Sequence, residues 1–191
     1  VMYGQPLTMN EYLSSRMISD PLRLYDCCLE SDGAAALLVT TWERAQDLRA
    51  RPVDILAAQQ GSGYLWGTGL LGGHNMPSGT YASANAAELA GDLYSQAGVL
   101  PKDIDVVQFY DAFTGMVLFA LEDFGFCGIG ESGDYVAEGN LRFDGASPCN
   151  TSGGILSEAY IHGLNLVVEG VRQVRGESSA QINEDRKSKR L

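Results

Sequence analysis

Short apolar runs and amphipathic stretches alternate along the chain. The run 33–41 is largely apolar without an alternating polar face, which is typical of a strand buried on both sides. The run 53–60 is the next strand candidate. The run 104–110 is rich in β-branched and aromatic residues and predicts a third strand. In 82–97 the apolar and small side chains recur at helical spacing, and Gly98 stands where such a helix would end.

The same pattern predicts four more helices. Thr8 and Glu11 have the spacing of a capping box, which marks the start of one of them. The others cover 43–50, 114–124 and 155–175. Strands that alternate with helices in this way indicate an α/β domain, in which helices pack on a mainly parallel sheet. In such domains the loops at the carboxyl ends of the strands carry the chemistry.

Composition narrows the class of protein. The 191 residues suffice for one domain, or for one domain and part of a neighbour. A formal net charge of −11 argues against a nucleic-acid surface. No apolar run has the length of a membrane span and no signal peptide is visible, so we expect a cytoplasmic protein. Four cysteines without paired spacing, together with two histidines, give no metal-site pattern, and we expect no metal.

Three motifs carry candidate chemistry. They are SDGAAA at 31–36, the junction YDAF at 110–113 after the third predicted strand, and NTSGG at 150–154 before the predicted long helix. In this order they resemble the thiolase superfamily, in particular the sterol-carrier-protein thiolases and the thiolase-like lipid-transfer proteins. The resemblance runs from about residue 7 to about residue 181.

The resemblance implies a layered thiolase-type fold that is incomplete at both ends. Residues 1–50 would be a loop region and the last strand of the N-terminal half, 51–176 the C-terminal domain, and 177–191 a disordered tail. The N-terminal half would supply the homodimer contact and a nucleophilic cysteine, and a later turn would supply a second cysteine. None of the four cysteines stands at either position. Because half of a thiolase active site and the dimer-forming half would be missing, we expect this segment alone to be inactive.

Two positions depart from the thiolase pattern in the same way. Ordinary thiolases have Asn-Glu-Ala-Phe at the junction where Tyr110 stands, and the sterol-carrier type has His-Asp-Cys-Phe. Counting forward from the NTSGG motif, the histidine of the thiolase Gly-His-Pro motif falls on Tyr160. This double replacement resembles the thiolase-like aldolases of bacterial steroid side-chain degradation. Those proteins cleave a β-hydroxyacyl-CoA by a retro-aldol reaction and work with an OB-fold partner protein.

Tyr110 and Tyr160 are therefore the predicted catalytic residues. A retro-aldol cleavage needs removal of the β-hydroxyl proton and stabilisation and reprotonation of an enolate, and a phenol can serve in each step. We expect one tyrosine to be the base and the other the acid or the hydrogen-bond donor to the enolate, and the sequence does not assign which. Five nearby residues are expected to support the site: Asp111, Asn150, Gly153, Gly154 and His162.

Other interpretations stay open. Either tyrosine could be a packing residue, and His162 would lie on a different face of the predicted long helix from Tyr160, in a structural role. Gly153 and Gly154 could cradle an anion or simply make a tight turn. With a CoA thioester as substrate and no bound cofactor, the protein could instead be an acetyl-CoA acyltransferase. The third alternative is a non-catalytic subunit that binds lipid or a partner protein.

Overall fold

The computed structural model describes residues 4–48, 51–61, 83 and 86–182. Two compact units divide the chain. The first takes its described residues from 1–54, 105–115 and 141–191, and the second from 55–104 and 116–140. All the residues predicted to form the site lie in the first unit.

Helices account for most of the regular structure. Seven α-helices are present in the described residues: α1 (Met9–Ser14), α2 (Trp42–Gln46), α3 (Ala87–Ala97), α4 (Thr114–Asp123), α5 (Ser132–Ala137), α6 (Gly154–Ser157) and α7 (Leu164–Arg175). The strands β1 (Met17–Ser19) and β2 (Leu22–Arg23) form an antiparallel hairpin. None of the helices described is both long and apolar enough to cross a membrane.

Local signals at the helix ends are confirmed. The Thr8 hydroxyl accepts a hydrogen bond from the Glu11 N–H at 3.3 Å, while the Glu11 carboxylate accepts one from the Thr8 N–H at 2.8 Å, which completes the predicted capping box of α1. Gly98, with φ of 68°, ends α3 in the left-handed conformation that favours glycine. The first part of the helix predicted over 82–97 falls largely outside the described residues, and α3 begins at Ala87.

The prediction of strands over 33–41 and 53–60 is wrong. Neither 33–41 nor 53–60 forms a strand, and both carry exposed apolar side chains: Leu38 (81% exposed), Val39 (70%), Ile55 (67%) and Leu56 (66%). Of the third predicted strand, only Val107 pairs, in a single parallel bridge with Cys149. A strand is stabilised by hydrogen bonds to a neighbour, and no strand partner for 33–41 or 53–60 is found among the described residues. In the part of the chain described, parallel pairing is limited to this bridge, beside the antiparallel hairpin of β1 and β2 and an antiparallel bridge between Cys27 and Phe113.

The prediction of one long helix over 155–175 is also wrong, because this segment forms two helices. α6 ends at Ser157 and α7 begins at Leu164, and a loop of six residues, 158–163, separates them. His162 and Gly163 have φ of 46° and 81°, and left-handed residues cannot continue a right-handed helix. Tyr160 and His162 consequently lie on this connecting loop, so the helix-face argument that separated them does not apply.

α7 is held by a buried polar cluster, which we define as Thr151, Glu169, Gln173 and Ser178. The Glu169 carboxylate is 2% exposed and accepts hydrogen bonds from the Thr151 hydroxyl at 2.5 Å, the Gln173 amide at 2.9 Å and the Ser178 hydroxyl at 2.7 Å. The Ile182 side chain is buried beyond it. The tail predicted over 177–191 is therefore attached to α7 as far as Ile182, and its remainder falls outside the described residues.

Each unit has a small apolar core. Ile155 is buried in the first unit and Leu121 in the second, and a fully buried side chain of this size contributes about 1.5–3 kcal/mol. In the first unit, the buried Val107 and Phe109 lie on the segment that ends at Tyr110. The buried core thus holds in place the backbone segment that carries Tyr110.

Candidate active site

Tyr110 and Tyr160 are in direct contact. Their hydroxyl oxygens lie 2.9 Å apart, so one hydroxyl donates a hydrogen bond to the other. The rings meet edge to face, with centroids 6.4 Å apart and an interplanar angle of 64°. The structure therefore brings together the two residues that the motifs single out.

Asn150 fixes the backbone that leads into Tyr110. The Val107 N–H donates to the Pro148 carbonyl at 2.8 Å, and the Asn150 N–H donates to the Val107 carbonyl at 2.9 Å. The Asn150 side chain then continues this pairing with Phe109. Its amide oxygen accepts from the Phe109 N–H and its amide nitrogen donates to the Phe109 carbonyl, both at 2.9 Å. Asn150 thus holds the backbone of Phe109, the residue immediately before Tyr110.

Asp111 points into the protein, and Gly154 makes room for it. The Asp111 carboxylate is 3% exposed and accepts hydrogen bonds from the N–H groups of Ile155 at 2.8 Å and Leu156 at 3.3 Å. A Cβ on Gly154, where φ is 63°, would overlap this carboxylate. The start of α6 is consequently occupied by the protein's own carboxyl group, and together with Gly153, at φ of 104°, Gly154 forms a tight, close-packed turn.

The electrostatics of Tyr110 and Asp111 follow from partial or full burial. Partial burial raises the pKa of Tyr110 to about 12, and the hydrogen bond with Tyr160 acts in the same direction. Burial also raises the pKa of Asp111, against the lowering effect of the hydrogen bonds from Ile155 and Leu156. At neutral pH Tyr110 is therefore a phenol that can donate a proton.

His162 lies against Tyr160. Its Nδ1 is 3.4 Å from the Tyr160 hydroxyl, and the two ring centroids are 4.7 Å apart with an interplanar angle of 42°. The sequence placed these side chains on different helix faces, and the loop that replaces the helix brings them into contact. The three side chains form the chain of contacts Tyr110, Tyr160, His162.

The connecting loop 158–163 is tied down at both ends. The Glu158 carboxylate accepts hydrogen bonds from the Ser152 hydroxyl at 2.8 Å and the Asn165 amide at 3.2 Å. The same Asn165 amide donates to the Ala159 carbonyl at 3.1 Å. A Cβ on Gly163 would lie 3.0 Å from Cδ2 of the Tyr110 ring, so the loop also packs closely on Tyr110.

Sequence reasoning missed the groups that come from distant segments. The Cys28 N–H donates to the Ala112 carbonyl at 2.9 Å, and a negative charge on Cys28 would contribute to the raised pKa of Tyr110. Gly33 of the SDGAAA motif lies against the connecting loop, because a Cβ there would lie 2.7 Å from Cδ1 of Ile161. No local pattern signals either contact, since each joins residues far apart in the chain.

The cysteines near this region are not set up as nucleophiles. Burial raises the pKa of Cys149 to about 12, and burial also raises the pKa of Cys28. A thiol with a raised pKa is a poor source of thiolate at neutral pH. In the part of the chain that the structure describes, no cluster of three or more His, Cys, Asp or Glu side chains could hold a metal ion.

Comparison with known proteins decides the family. The family model described as thiolase C-terminal domain-like matches residues 73–188. The chain belongs to this thiolase-like family. The expectation drawn from the three ordered motifs is confirmed for the family and for the thiolase-type fold.

Thiolase-like relatives match nearly the whole chain. It is 44% identical to a 17-hydroxy-3-oxo-4-pregnene-20-carboxyl-CoA lyase of Mycobacterium tuberculosis, over 92% of this chain and 45% of the relative. It is 46% identical to a steroid side-chain-cleaving aldolase of Thermomonospora curvata, over 94% of this chain and 45% of the relative. A solved chain of the Ltp2-ChsH2(DUF35) aldolase is 45% identical and superposes with a TM-score of 0.88, over 95% of this chain and 47% of that chain. The thiolase-like chain thus spans about half the length of these relatives.

Proposed function

We propose that this chain is part of a thiolase-like acyl-CoA enzyme of the lipid-transfer-protein type, which cleaves a β-hydroxyacyl-CoA by a retro-aldol reaction. The observation that carries the proposal is the 2.9 Å hydrogen bond between the hydroxyls of Tyr110 and Tyr160. Two relatives at 44% and 46% identity are a pregnene-carboxyl-CoA lyase and a steroid side-chain-cleaving aldolase, which supports a steroid side chain as the acyl group.

The proton balance of a retro-aldol reaction suits two bonded hydroxyls. The β-hydroxyl loses its proton as the bond between the α and β carbons breaks, which releases a ketone or aldehyde and leaves a thioester enolate. The enolate then takes up one proton at its α-carbon, so each turnover consumes no net proton. The residue that accepted the first proton and the residue that donated the second are restored when a proton passes between them. The contact between Tyr110 and Tyr160 provides that path directly.

The environments of the two tyrosines support different roles. Tyr110 stays protonated at neutral pH because its pKa is raised to about 12, so it donates a hydrogen bond to the developing enolate oxygen or a proton to its α-carbon. Tyr160 lies between the Tyr110 hydroxyl and His162 Nδ1, and it accepts the β-hydroxyl proton. Asp111 and Asn150 do not react, and they hold the backbone on either side of Tyr110.

The proposed enzyme acts on a CoA thioester with no metal and no bound cofactor, since the thioester itself stabilises the carbanion as an enolate. Similarity to a chain of the Ltp2-ChsH2(DUF35) aldolase supports a second subunit as a partner, which we propose to be an OB-fold protein. We also propose that the full-length subunit is a homodimer, whose contact lies in its N-terminal half.

Acyl transfer is the less favoured chemistry. A thiolase reaction requires a thiolate that holds the acyl group covalently. Cys149 adjoins Asn150 in the chain, but burial raises the pKa of its thiol to about 12, so little thiolate forms there at neutral pH. Tyr110 and Tyr160 also stand where thiolases have the asparagine or histidine of the junction and the histidine of the Gly-His-Pro motif, which counts against acyl transfer.

The test uses the full-length protein together with its OB-fold partner. One substrate is a β-hydroxyacyl-CoA whose hydroxyl lies on a steroid ring carbon, and the other is the matching 3-oxoacyl-CoA with free CoA. The proposal predicts a ring ketone and a shortened acyl-CoA from the first substrate without added CoA. Cleavage of the second substrate alone would establish an acyltransferase, and cleavage of neither would favour the non-catalytic subunit.

A further inference from the structure

His162 has a conformation that packing alone does not explain. Its φ of 46° lies in the left-handed region, which residues other than glycine adopt uncommonly. The side chain is exposed, so no apolar core holds it there. Its ring lies instead against Tyr160, with Nδ1 3.4 Å from the hydroxyl. The unusual backbone is therefore associated with one contact, which is to a proposed catalytic hydroxyl.

The carboxyl groups of Asp111 and Glu158, which lie close to the two tyrosines in sequence, accept hydrogen bonds from other groups. Both oxygens of the Asp111 carboxylate accept backbone N–H groups at the start of α6. The Glu158 carboxylate accepts from Ser152 and Asn165. His162 Nδ1 is the nitrogen base seen in contact with the Tyr160 hydroxyl in the described part of the chain. An imidazole nitrogen can accept a phenolic proton and return it.

We propose that His162 is a positioning residue that orients the Tyr160 hydroxyl and takes up its proton at Nδ1 during each turnover. This role rests on the retro-aldol function proposed above. It explains how a phenol can act as a base near neutral pH, since Tyr160 passes on its own proton as it accepts another. His162 acts only through Tyr160 and does not touch the substrate.

The cycle balances without any further reactant. The substrate β-hydroxyl gives its proton to the Tyr160 oxygen while the Tyr160 proton moves to His162 Nδ1. The bond between the α and β carbons breaks, and its electron pair forms the enolate. Tyr110 donates its proton to the α-carbon and becomes a phenolate. Tyr160 then protonates Tyr110 across their 2.9 Å contact, and His162 returns its proton to Tyr160.

The His162 side chain is exposed to solvent. Because its ring is at the surface while its Nδ1 faces Tyr160, His162 can exchange protons with water between turnovers. Gly163 follows at φ of 81° and packs against the Tyr110 ring, so two successive residues of the connecting loop contact the two tyrosines.

Two substitutions separate proton transfer from loop geometry. His162→Asn keeps a residue that tolerates the left-handed backbone but carries no basic nitrogen. His162→Gly removes the side chain, suits the left-handed backbone and leaves space for free imidazole. Val167→Ala, at an exposed position on the first turn of α7, is the control for general disturbance near the loop. All are made in the full-length protein with its partner.

For both His162 variants we expect kcat to fall by about 100-fold with KM changed less than about threefold, in line with the loss of one proton-transfer group. Imidazole should restore a large part of kcat in His162→Gly and none in Tyr160→Phe. Val167→Ala should keep the wild-type kcat. A wild-type kcat in His162→Asn, or a loss in His162→Gly that imidazole does not reverse, would overturn the proposal.

A second readout does not depend on turnover. In protein labelled with ¹⁵N-histidine, the Nδ1 resonance of neutral His162 should be that of an unprotonated, hydrogen-bond-accepting nitrogen, and Tyr160→Phe should shift it. An Nδ1 that carries the proton, or a resonance unmoved by Tyr160→Phe, would overturn the assignment of His162. Failure of the wild-type protein to cleave any β-hydroxyacyl-CoA would instead contradict the proposed function, so the two failures are distinguishable.

Discussion

The hydroxyl oxygen of Tyr110 lies 2.9 Å from that of Tyr160, although 50 residues separate them in the chain. Asn150 sets one side of this contact by pairing with the backbone of Phe109, and the connecting loop 158–163 sets the other. The loop packs against the Tyr110 ring at Gly163. The candidate site is thus assembled from backbone positions that packing and hydrogen bonds determine.

Gly163→Ala tests the approach of the loop to Tyr110. The alanine would have to adopt φ of 81°, and its Cβ would lie 3.0 Å from the Tyr110 ring. We expect the free energy of unfolding to fall by about 1–2 kcal/mol, as for a left-handed residue with a side chain, and retro-aldol turnover to fall as the tyrosines separate. Urea unfolding measures the first effect and a turnover assay the second.

Gly133→Ala is the matched control for that substitution. Gly133 lies within α5, and a Cβ there meets no atom within 4 Å. Alanine is the better helix former, so this variant should be more stable by about 0.5–1 kcal/mol and fully active. Equal stability of the two variants would show that Gly163 is not needed for close packing.

Tyr110 should lose its phenolic proton at an unusually high pH. Its folded-state pKa is raised to about 12, above the value of about 10 for tyrosine in an unfolded chain. The stabilising contribution is therefore present below about pH 10 and is lost as the pH rises through about 12. In an absorbance titration of tyrosinate, the difference between wild type and Tyr110→Phe should appear only near pH 12. A difference that develops near pH 10 would contradict the assignment.

Asp111→Asn tests the buried carboxyl. Because burial raises the pKa of Asp111, the folded state binds this proton more tightly than the unfolded state, and the resulting stability is lost as the pH rises through the folded-state pKa. Wild type should therefore lose stability relative to Asp111→Asn as the pH is raised above the ordinary aspartate range. Urea unfolding from acid to neutral pH measures this, and a difference that grows in favour of wild type with pH would contradict it.

Glu169→Ala tests the polar cluster that holds α7. The substitution removes the one carboxylate oxygen, Oε1, on which the donors of Thr151, Gln173 and Ser178 converge. An unsatisfied buried polar group costs about 1–3 kcal/mol, so the free energy of unfolding should fall by at least about 2 kcal/mol. Glu177→Ala, at an exposed position just after α7, is the control and should be neutral. Equal effects would mean that the cluster adds no stability.

Local signals in the sequence predicted the local structure. The capping box at Thr8 and the glycine that ends α3 are seen as expected, because their geometry depends only on residues within one turn. The ordered motifs also predicted the family and the thiolase-type fold. The run 33–41 does not form a strand. A strand needs hydrogen bonds to a neighbouring strand, and the residues of one apolar segment do not show whether such a neighbour is present.

The sequence singled out two tyrosines that the structure brings into contact, but it did not predict the geometry that brings them together. Motif positions singled out Tyr110 and Tyr160, whose hydroxyls are in contact. The break between α6 and α7 was missed because the apolar spacing of 155–175 continues through it, while left-handed residues at His162 and Gly163 interrupt the helix. The contact between Tyr160 and His162 follows from that break, so helical spacing gave the wrong relation between them.

The most direct test of the proposed chemistry is turnover of a β-hydroxyacyl-CoA by Tyr110→Phe and Tyr160→Phe in the full-length protein with its partner. Each variant should lower kcat for retro-aldol cleavage by at least about 100-fold, because each removes a proton-transfer group. Tyr94→Phe, which loses a hydroxyl hydrogen bond to the Phe124 carbonyl in the second unit, should keep the wild-type kcat. Near-wild-type cleavage by Tyr110→Phe or Tyr160→Phe would contradict the central claim that these two hydroxyls carry out the reaction.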